Sequence, residues 1–147
     1  MSTLIKIKKL NDKAVIPTYG SEYAAGADLY ACMDEPVTIG SHETVMIHTG
    51  LAMEIPAGYA GLIYPRSGLA SKRGLAPANK VGVIDSDYRG EICAGVIKQT
   101  DPEYTIEPFE RIAQMVIQPV ELPEIVEVDN LDETDRGAGG FGSTGTK

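Results

Sequence analysis

The segment GVIDSDYRGEI, residues 82–92, reads as strand, tight turn, strand, a hairpin with Asp85, Asp87, Tyr88, Arg89 and Gly90 crowded at its bend. Aspartate is common in turns because its carboxylate bonds nearby backbone, so two acids at a bend need not do chemistry. The chemical reading is that one carboxylate activates a water while the Tyr88 ring packs on a planar or sugar-like ligand. Three further segments offer groups that would complement it. YPRSGLA (64–70) joins a strand to a short helix, where Arg66, the Ser67 hydroxyl and N–H groups near Gly68 would cradle an anion. ERIAQ (110–114) sets Gln114 in an otherwise apolar strand, either as a satisfied core amide or as a ligand contact. AGADLYA (25–31) sets Asp28 among small apolar residues, where a buried carboxylate requires a cation or hydrogen-bond partner.

The glycine-rich stretch RGAGGFGSTGTK (136–147) raises a different question. Residues 137–142 satisfy G-x-G-x-x-G, but a dinucleotide fold needs a strand before that motif and a helix after it, and neither is signalled. Gly140 and Gly145 have P-loop spacing, yet Thr146-Lys147 reverses the required Lys-Ser/Thr order. What survives is the physics of both motifs, since glycines let successive N–H groups converge on an anion. Ser143 and Thr144 add hydroxyls, Gly142 lies between Phe141 and Ser143, and Arg136 adds a rigid fork of donors. Phe141 has no apolar neighbour in the tail and is expected to stack on something outside it. The plain alternative is a disordered Gly/Ser-rich tail with an incidental aromatic.

These groups need a scaffold, and the punctuation of the chain restricts it. Between Pro17 and Pro123 no stretch free of Gly and Pro exceeds ten residues, which leaves little room for long helices. Short runs of strand character fill the interval: 4–9, 36–40, 44–48, 52–55, 59–64, 80–84, 91–97 and 112–120, with EIVEV (124–128) beyond. Residues 4–9 and 44–48 alternate as half-buried strands do, and IAQMVI reads as a strand buried on both faces. SGLASKRG (67–74) suits one short helix ended by Gly74. The expected fold is all-β: a jelly-roll-like antiparallel β-sandwich or barrel with one short helix and a flexible C-terminal arm. The expected boundaries are a β domain over 1–130 and the arm over 131–147.

Composition narrows the function classes. A chain of 147 residues that is 43% hydrophobic can bury one real core. The net charge of -8 argues against sequence-independent nucleic-acid binding. Seven of the 21 acids fall in residues 121–135, which hold no Lys or Arg, so the remainder is near neutral and can still build a small anion site. Cys32 and Cys93 match no zinc or redox spacing and read as thiols in a reducing compartment. His42 and His48 read as surface residues on edge strands, with no case for metal ligation. The N-terminal MSTLIKIKKLND has no continuous apolar run, so no signal peptide or membrane contact is expected and a cytoplasmic location is.

Taken in order, AGADLYA (25–31), PRSGLAS (65–71), GVIDSDYRGEI (82–92), ERIAQ (110–114) and RGAGGFGSTG (136–145) resemble the five motifs of the homotrimeric dUTPase family. They span nearly the whole chain, and the third and fifth are each specific. One departure is visible: the fourth motif usually carries glycine before its acidic residue, and here Phe109 stands there.

The resemblance implies hydrolysis of dUTP to dUMP and pyrophosphate, which limits uracil in DNA and supplies dUMP for thymidylate synthesis. Asp85 would deprotonate the water that attacks the α-phosphorus. Tyr88 would stack under the deoxyribose and exclude a 2′-hydroxyl. Asn79 and backbone groups around Val83, Ile84 and Cys93 would read the uracil edge. Arg66, Ser67, Gly68 and Gln114 would hold phosphates, and Asp28 would act through Mg²⁺-bound water. Arg136 would reach the γ-phosphate, Phe141 would cap the uracil, and Gly142, Ser143 and Thr144 would wrap the polyphosphate. The assembly implied is a homotrimer with active sites shared between subunits. Two alternatives share the fold: a dCTP deaminase, whose chemistry needs a glutamate base facing C4 of the pyrimidine, and a nucleotide-binding regulator without turnover.

Overall fold

The computed structural model describes residues 3–145; Thr146-Lys147 and the first two residues lie outside them. One four-stranded antiparallel sheet runs in the order β1 (Lys6–Lys9), β5 (Thr44–Glu54), β9 (Glu91–Lys98), β7 (Leu75–Pro77). A five-stranded antiparallel sheet runs β2 (Thr18–Tyr19), β3 (Ala27–Tyr30), β11 (Arg111–Pro119), β6 (Tyr59–Tyr64), β8 (Gly82–Ile84). A two-stranded ribbon pairs β10 (Tyr104–Ile106) with β4 (Val37–Ile39). The one helix, α1, covers Ser67–Arg73. The all-β expectation holds.

Period-two alternation explains how the sheets bury their inner faces. Along β9, Ile92, Ala94 and Val96 point inward while Glu91, Cys93 and Gly95 stay half-exposed. The inward residues join two apolar clusters. One gathers Ile39, Ile47, Leu69, Leu75, Val96 and Ile112; the other gathers Leu29, Leu51, Met53, Ile63, Ile92 and Met115. Each fully buried Leu or Ile contributes about 1.5–3 kcal/mol relative to exposure. Leu69 is the buried residue of α1 and fastens the helix to the first cluster. The helix stops where expected, because Gly74 takes a left-handed φ of 63° and its N–H caps the Ala70 carbonyl. A Cβ there would also lie 2.2 Å from the Thr100 hydroxyl.

Several expectations need correction. Residues 44–48 and 52–55 belong to a single strand, β5, interrupted by a register shift between His48 and Ala52 where Gly50 turns to a φ of 68°. Segments 82–84 and 91–98 do not close on each other as a hairpin: β8 pairs with β6 in one sheet, and β9 pairs with β5 and β7 in the other. The 85–90 turn therefore crosses between sheets. β11 is not buried on both faces, since Val116 and Ile117 are half-exposed and Gln118 is exposed. EIVEV forms no strand; it lies in an irregular stretch where Leu122, Ile125, Val126, Val128 and Leu131 are exposed, Ile125 to 95%. Neither histidine is on an edge strand. His42 sits in a turn at a φ of 64°, and His48 lies on the interior strand β5. Among the described residues, no helix is long and apolar enough to cross a membrane.

Candidate functional site

Gln114 occupies the central strand of the five-stranded sheet, with Asp28 of β3 opposite on one side and Tyr64 of β6 on the other. That register brings three sequence-distant motifs to one end of the sheet. Asp28 is 7% exposed, and its carboxylate is met by two guanidinium groups, Arg66 Nε at 2.9 Å and Arg111 at 3.3 Å. The buried carboxylate thus has the cationic partners its position demands. Arg66 also donates to the Arg111 carbonyl at 3.4 Å, which sets the plane of its fork. Gln114 Nε2 donates to the Pro65 carbonyl at 3.0 Å and remains half-exposed, so the amide is held and still faces solvent. Gly26 is required here, because a Cβ would lie 2.4 Å from the Gln114 side-chain oxygen.

Asp28, Arg66, Ser67, Gly68 and Gln114 line a cleft of about 220 Å³. Two guanidinium groups against one carboxylate leave a positive balance, and Arg forks retain donors beyond those bonded to Asp28. The cleft therefore suits a polyanion. Asp28 offers a hard oxygen close by; Mg²⁺ keeps several waters and leans on substrate phosphates, so one carboxylate reached through water fits that ion. Arg111 was legible as part of ERIAQ, but nothing in the sequence disclosed that its partner would be Asp28, 83 residues away.

The second group of residues stands elsewhere. Asp85 is exposed at the start of the turn that leaves β8, and its carbonyl accepts from Tyr88 N at 3.2 Å. Arg89 braces the turn from within, donating to the Ser86 and Tyr88 carbonyls at 2.7 and 3.0 Å. Tyr88 folds over Gly90, where a Cβ would come within 2.6 Å of its ring, and its hydroxyl donates to the Glu91 carbonyl at 3.0 Å. Asn79 and Val83 are exposed nearby in sequence, while Ile84 packs on the second core cluster. Asp85 borders a separate cleft with Tyr59, Ser86, Asp87 and Leu122.

The tail carries the remaining expected residues. Arg136 Nε bonds the Gly139 carbonyl at 2.7 Å, Ser143 N bonds the Gly140 carbonyl at 3.0 Å, and Phe141 is fully exposed. Gly142, Ser143 and Thr144 follow in the same run of turns. None of these residues lines the Asp28–Arg66 cleft.

One cluster has no counterpart in the linear sequence. Cross-strand register sets His48, Glu91 and Cys93 together with their donor atoms all within 4.8 Å, although they are 43 and 45 residues apart in sequence. No linear spacing signals such a group. Burial, aided by the neighbouring Glu91 carboxylate, pushes the Cys93 thiol up to about 11. Burial also acts to raise the Glu91 carboxyl, but hydrogen bonds from His48 and the Gly50 N–H outweigh it and hold Glu91 below the ordinary value.

Known proteins share both the sequence and the fold. Residues 12–145 match the dUTPase family. The deoxyuridine 5'-triphosphate nucleotidohydrolase of Nautilia profundicola is 53% identical over 141 residues, covering 96% of this chain and 98% of that protein. The structure of a Staphylococcus bacteriophage 80alpha dUTPase variant with dUpNHpp is similar with a TM-score of 0.90 at 29% identity, covering 99% of this chain and 100% of that one. A variant dUTPase from phage phi11 of S. aureus, described with a structural Mg(II) ion, is similar with a TM-score of 0.76 at 26% identity, covering 86% of this chain and 97% of that one. With residues 12–145 matched and nearly its whole length covered by such relatives, the chain belongs to the dUTPase family.

Proposed function

We propose that this protein hydrolyses dUTP to dUMP and pyrophosphate at a site assembled between copies of the chain. The observation that carries this reading is the cleft lined by Asp28, Arg66 and Gln114, whose Asp28 is also held by Arg111, on a fold shared with a dUTPase that holds dUpNHpp. Arg66, Ser67, Gly68 and Gln114 hold the phosphates, and Asp28 fixes both arginines while facing Mg²⁺-bound water. When bound, Mg²⁺ offsets phosphate charge. Asp85 takes the proton of a water whose oxygen bonds to the α-phosphorus as the bond to the bridging oxygen breaks and pyrophosphate leaves. Tyr88 packs against the deoxyribose, and Asn79 with backbone of Val83, Ile84 and Cys93 meets the uracil edge. Arg136, Phe141, Gly142, Ser143 and Thr144 close over the bound nucleotide as a lid.

The assembly is a homotrimer. Residues 120–131 form no helix or strand and carry five exposed apolar side chains, an arrangement that favours burial against another copy. The test of the activity is pyrophosphate release from dUTP, dCTP, dTTP and UTP in Mg²⁺, with ammonia monitored alongside. Release from dUTP alone supports the reading. Ammonia from dCTP, or tight dUTP binding without turnover, rejects it.

A further inference from the structure

On the outer face of the β5–β9 pair lies a cluster that the proposed nucleotide chemistry does not use, the backbone of Cys93 excepted. His48 stands directly opposite Cys93 in the ladder, and Glu91 lies two residues before Cys93 on the same face of β9. His48 Nδ1 is 2.8 Å from the Glu91 carboxylate and 3.5 Å from Cys93 Sγ. We propose that His48, Glu91 and Cys93 form a Zn²⁺ site at the root of the 85–90 turn.

The donor set is an imidazole, a thiol and a carboxylate, which favours zinc over the oxygen-seeking Mg²⁺ or Ca²⁺. Zinc holds sulfur at about 2.3 Å and nitrogen or oxygen at about 2.0–2.2 Å, so tetrahedral ligand edges are roughly 3.3–3.6 Å. The sulfur–nitrogen spacing already falls there. The shorter His48–Glu91 distance is that of a hydrogen bond, which opens when His48 takes the tautomer protonated at Nε2 and leaves the Nδ1 lone pair to the metal. Cys93 releases its thiol proton to solvent as the zinc–sulfur bond forms. The fourth position is left to water, since the His48 side chain is 59% exposed.

The backbone around the cluster is built to hold it. The Gly50 N–H donates to the other Glu91 oxygen at 2.9 Å, an outer contact of the kind that orients metal-binding carboxylates. Gly50 can do so because its left-handed φ shifts the β5 register at that point, and a Cβ there would crowd Cys32 and Ala14 at 3.0 Å. The fully buried Thr49 hydroxyl donates to the Ile92 carbonyl at 2.6 Å, fixing the backbone between the two β9 ligands. Because the Tyr88 hydroxyl bonds the Glu91 carbonyl, zinc on Glu91 also stiffens the turn that bears Tyr88 and Asp85.

The experiment uses the full chain, stripped with chelator and dialysed against buffered Zn²⁺, with metal content measured by mass spectrometry. About one zinc per chain is expected, with affinity falling by about tenfold or more in His48→Ala and in Cys93→Ser. Co²⁺ bound to the unmodified protein should give a near-ultraviolet thiolate-to-metal band, and this holds whether or not the variants fold. No retained zinc, zinc held equally by both variants, or bound cobalt without the sulfur band overturns the proposal.

Discussion

Arg66 and Asp85 stand at opposite ends of β6. Arg66 follows the strand's last residue, Tyr64, by two positions, whereas Asp85 follows Ile84, which pairs with Gly61 near its beginning. The register continued by one step sets Asp85 beside Ala60, six positions and roughly 20 Å from Arg66. A triphosphate held at Arg66 does not present its α-phosphorus to the Asp85 of the same chain over that span. The proposal of a shared site follows from this separation as much as from family membership.

Asp85→Asn should fold and bind nucleotide normally while losing roughly 10²–10⁴ in kcat, the usual contribution of a general base. The carboxylate is exposed, and the turn's described side-chain bonds come from Arg89 and Tyr88. Steady-state kinetics with dUTP check this. Turnover close to that of the unmodified enzyme would shift the base elsewhere, with Asp87 the first candidate.

Gly90→Ala should impair discrimination against UTP. A Cβ at Gly90 would come within 2.9 Å of three Tyr88 atoms, so the ring must shift from the place where it meets the sugar. Comparing kcat/KM for dUTP and UTP in the variant tests this. A ratio equal to that of the unmodified enzyme would show that Tyr88 does not set sugar choice from its place over Gly90.

Phe109→Gly should stabilise the protein by up to about 1 kcal/mol. Phe109 sits at a φ of 64°, where a side chain costs about 1–2 kcal/mol, and glycine returns part of the gain through a freer unfolded chain. The ring is 47% exposed, so little burial is lost. A lower denaturation midpoint would mean that the ring makes a contact in the assembly worth more than the strain. The left-handed φ also explains why the fourth motif usually carries glycine at this position.

Much of the frame was legible because local rules and the tertiary fold agree. Gly74 ends α1 as a left-handed cap, residues 59–64 form β6 as their composition suggests, and β9 alternates. The misreadings share a cause: pairing partners are long-range facts. Gly50 reads as a strand breaker yet sits inside β5 as a bulge residue, because β9 continues alongside. Residues 82–92 read as a hairpin, but β8 finds β6 and β9 finds β5. EIVEV has strand composition and no strand partner among the described residues. Residue types at the candidate site were readable from short motifs; the Asp28–Arg111 and His48–Cys93 contacts were not, since register alone creates them.

Deleting residues 136–147 should leave denaturation and assembly almost unchanged while turnover collapses. Among the described residues the tail's hydrogen bonds are local and Phe141 is fully exposed, so its removal costs the fold little. Phe141→Ala should be milder, losing stacking of about 0.5–1.5 kcal/mol. Activity assays beside thermal melts check both. A fully active deletion would remove the lid from the account.

The most direct test mixes two inactive enzymes. Arg66→Ala and Asp85→Asn are each denatured, combined in equal amounts and refolded together, and dUTP hydrolysis is measured against each variant refolded alone. If Arg66 of one chain serves with Asp85 of another, random assembly gives about a quarter of the sites both native residues. Recovery toward a quarter of the unmodified activity is the predicted result. A co-refolded mixture no more active than either variant alone, with mixed assembly demonstrated, would contradict the shared site.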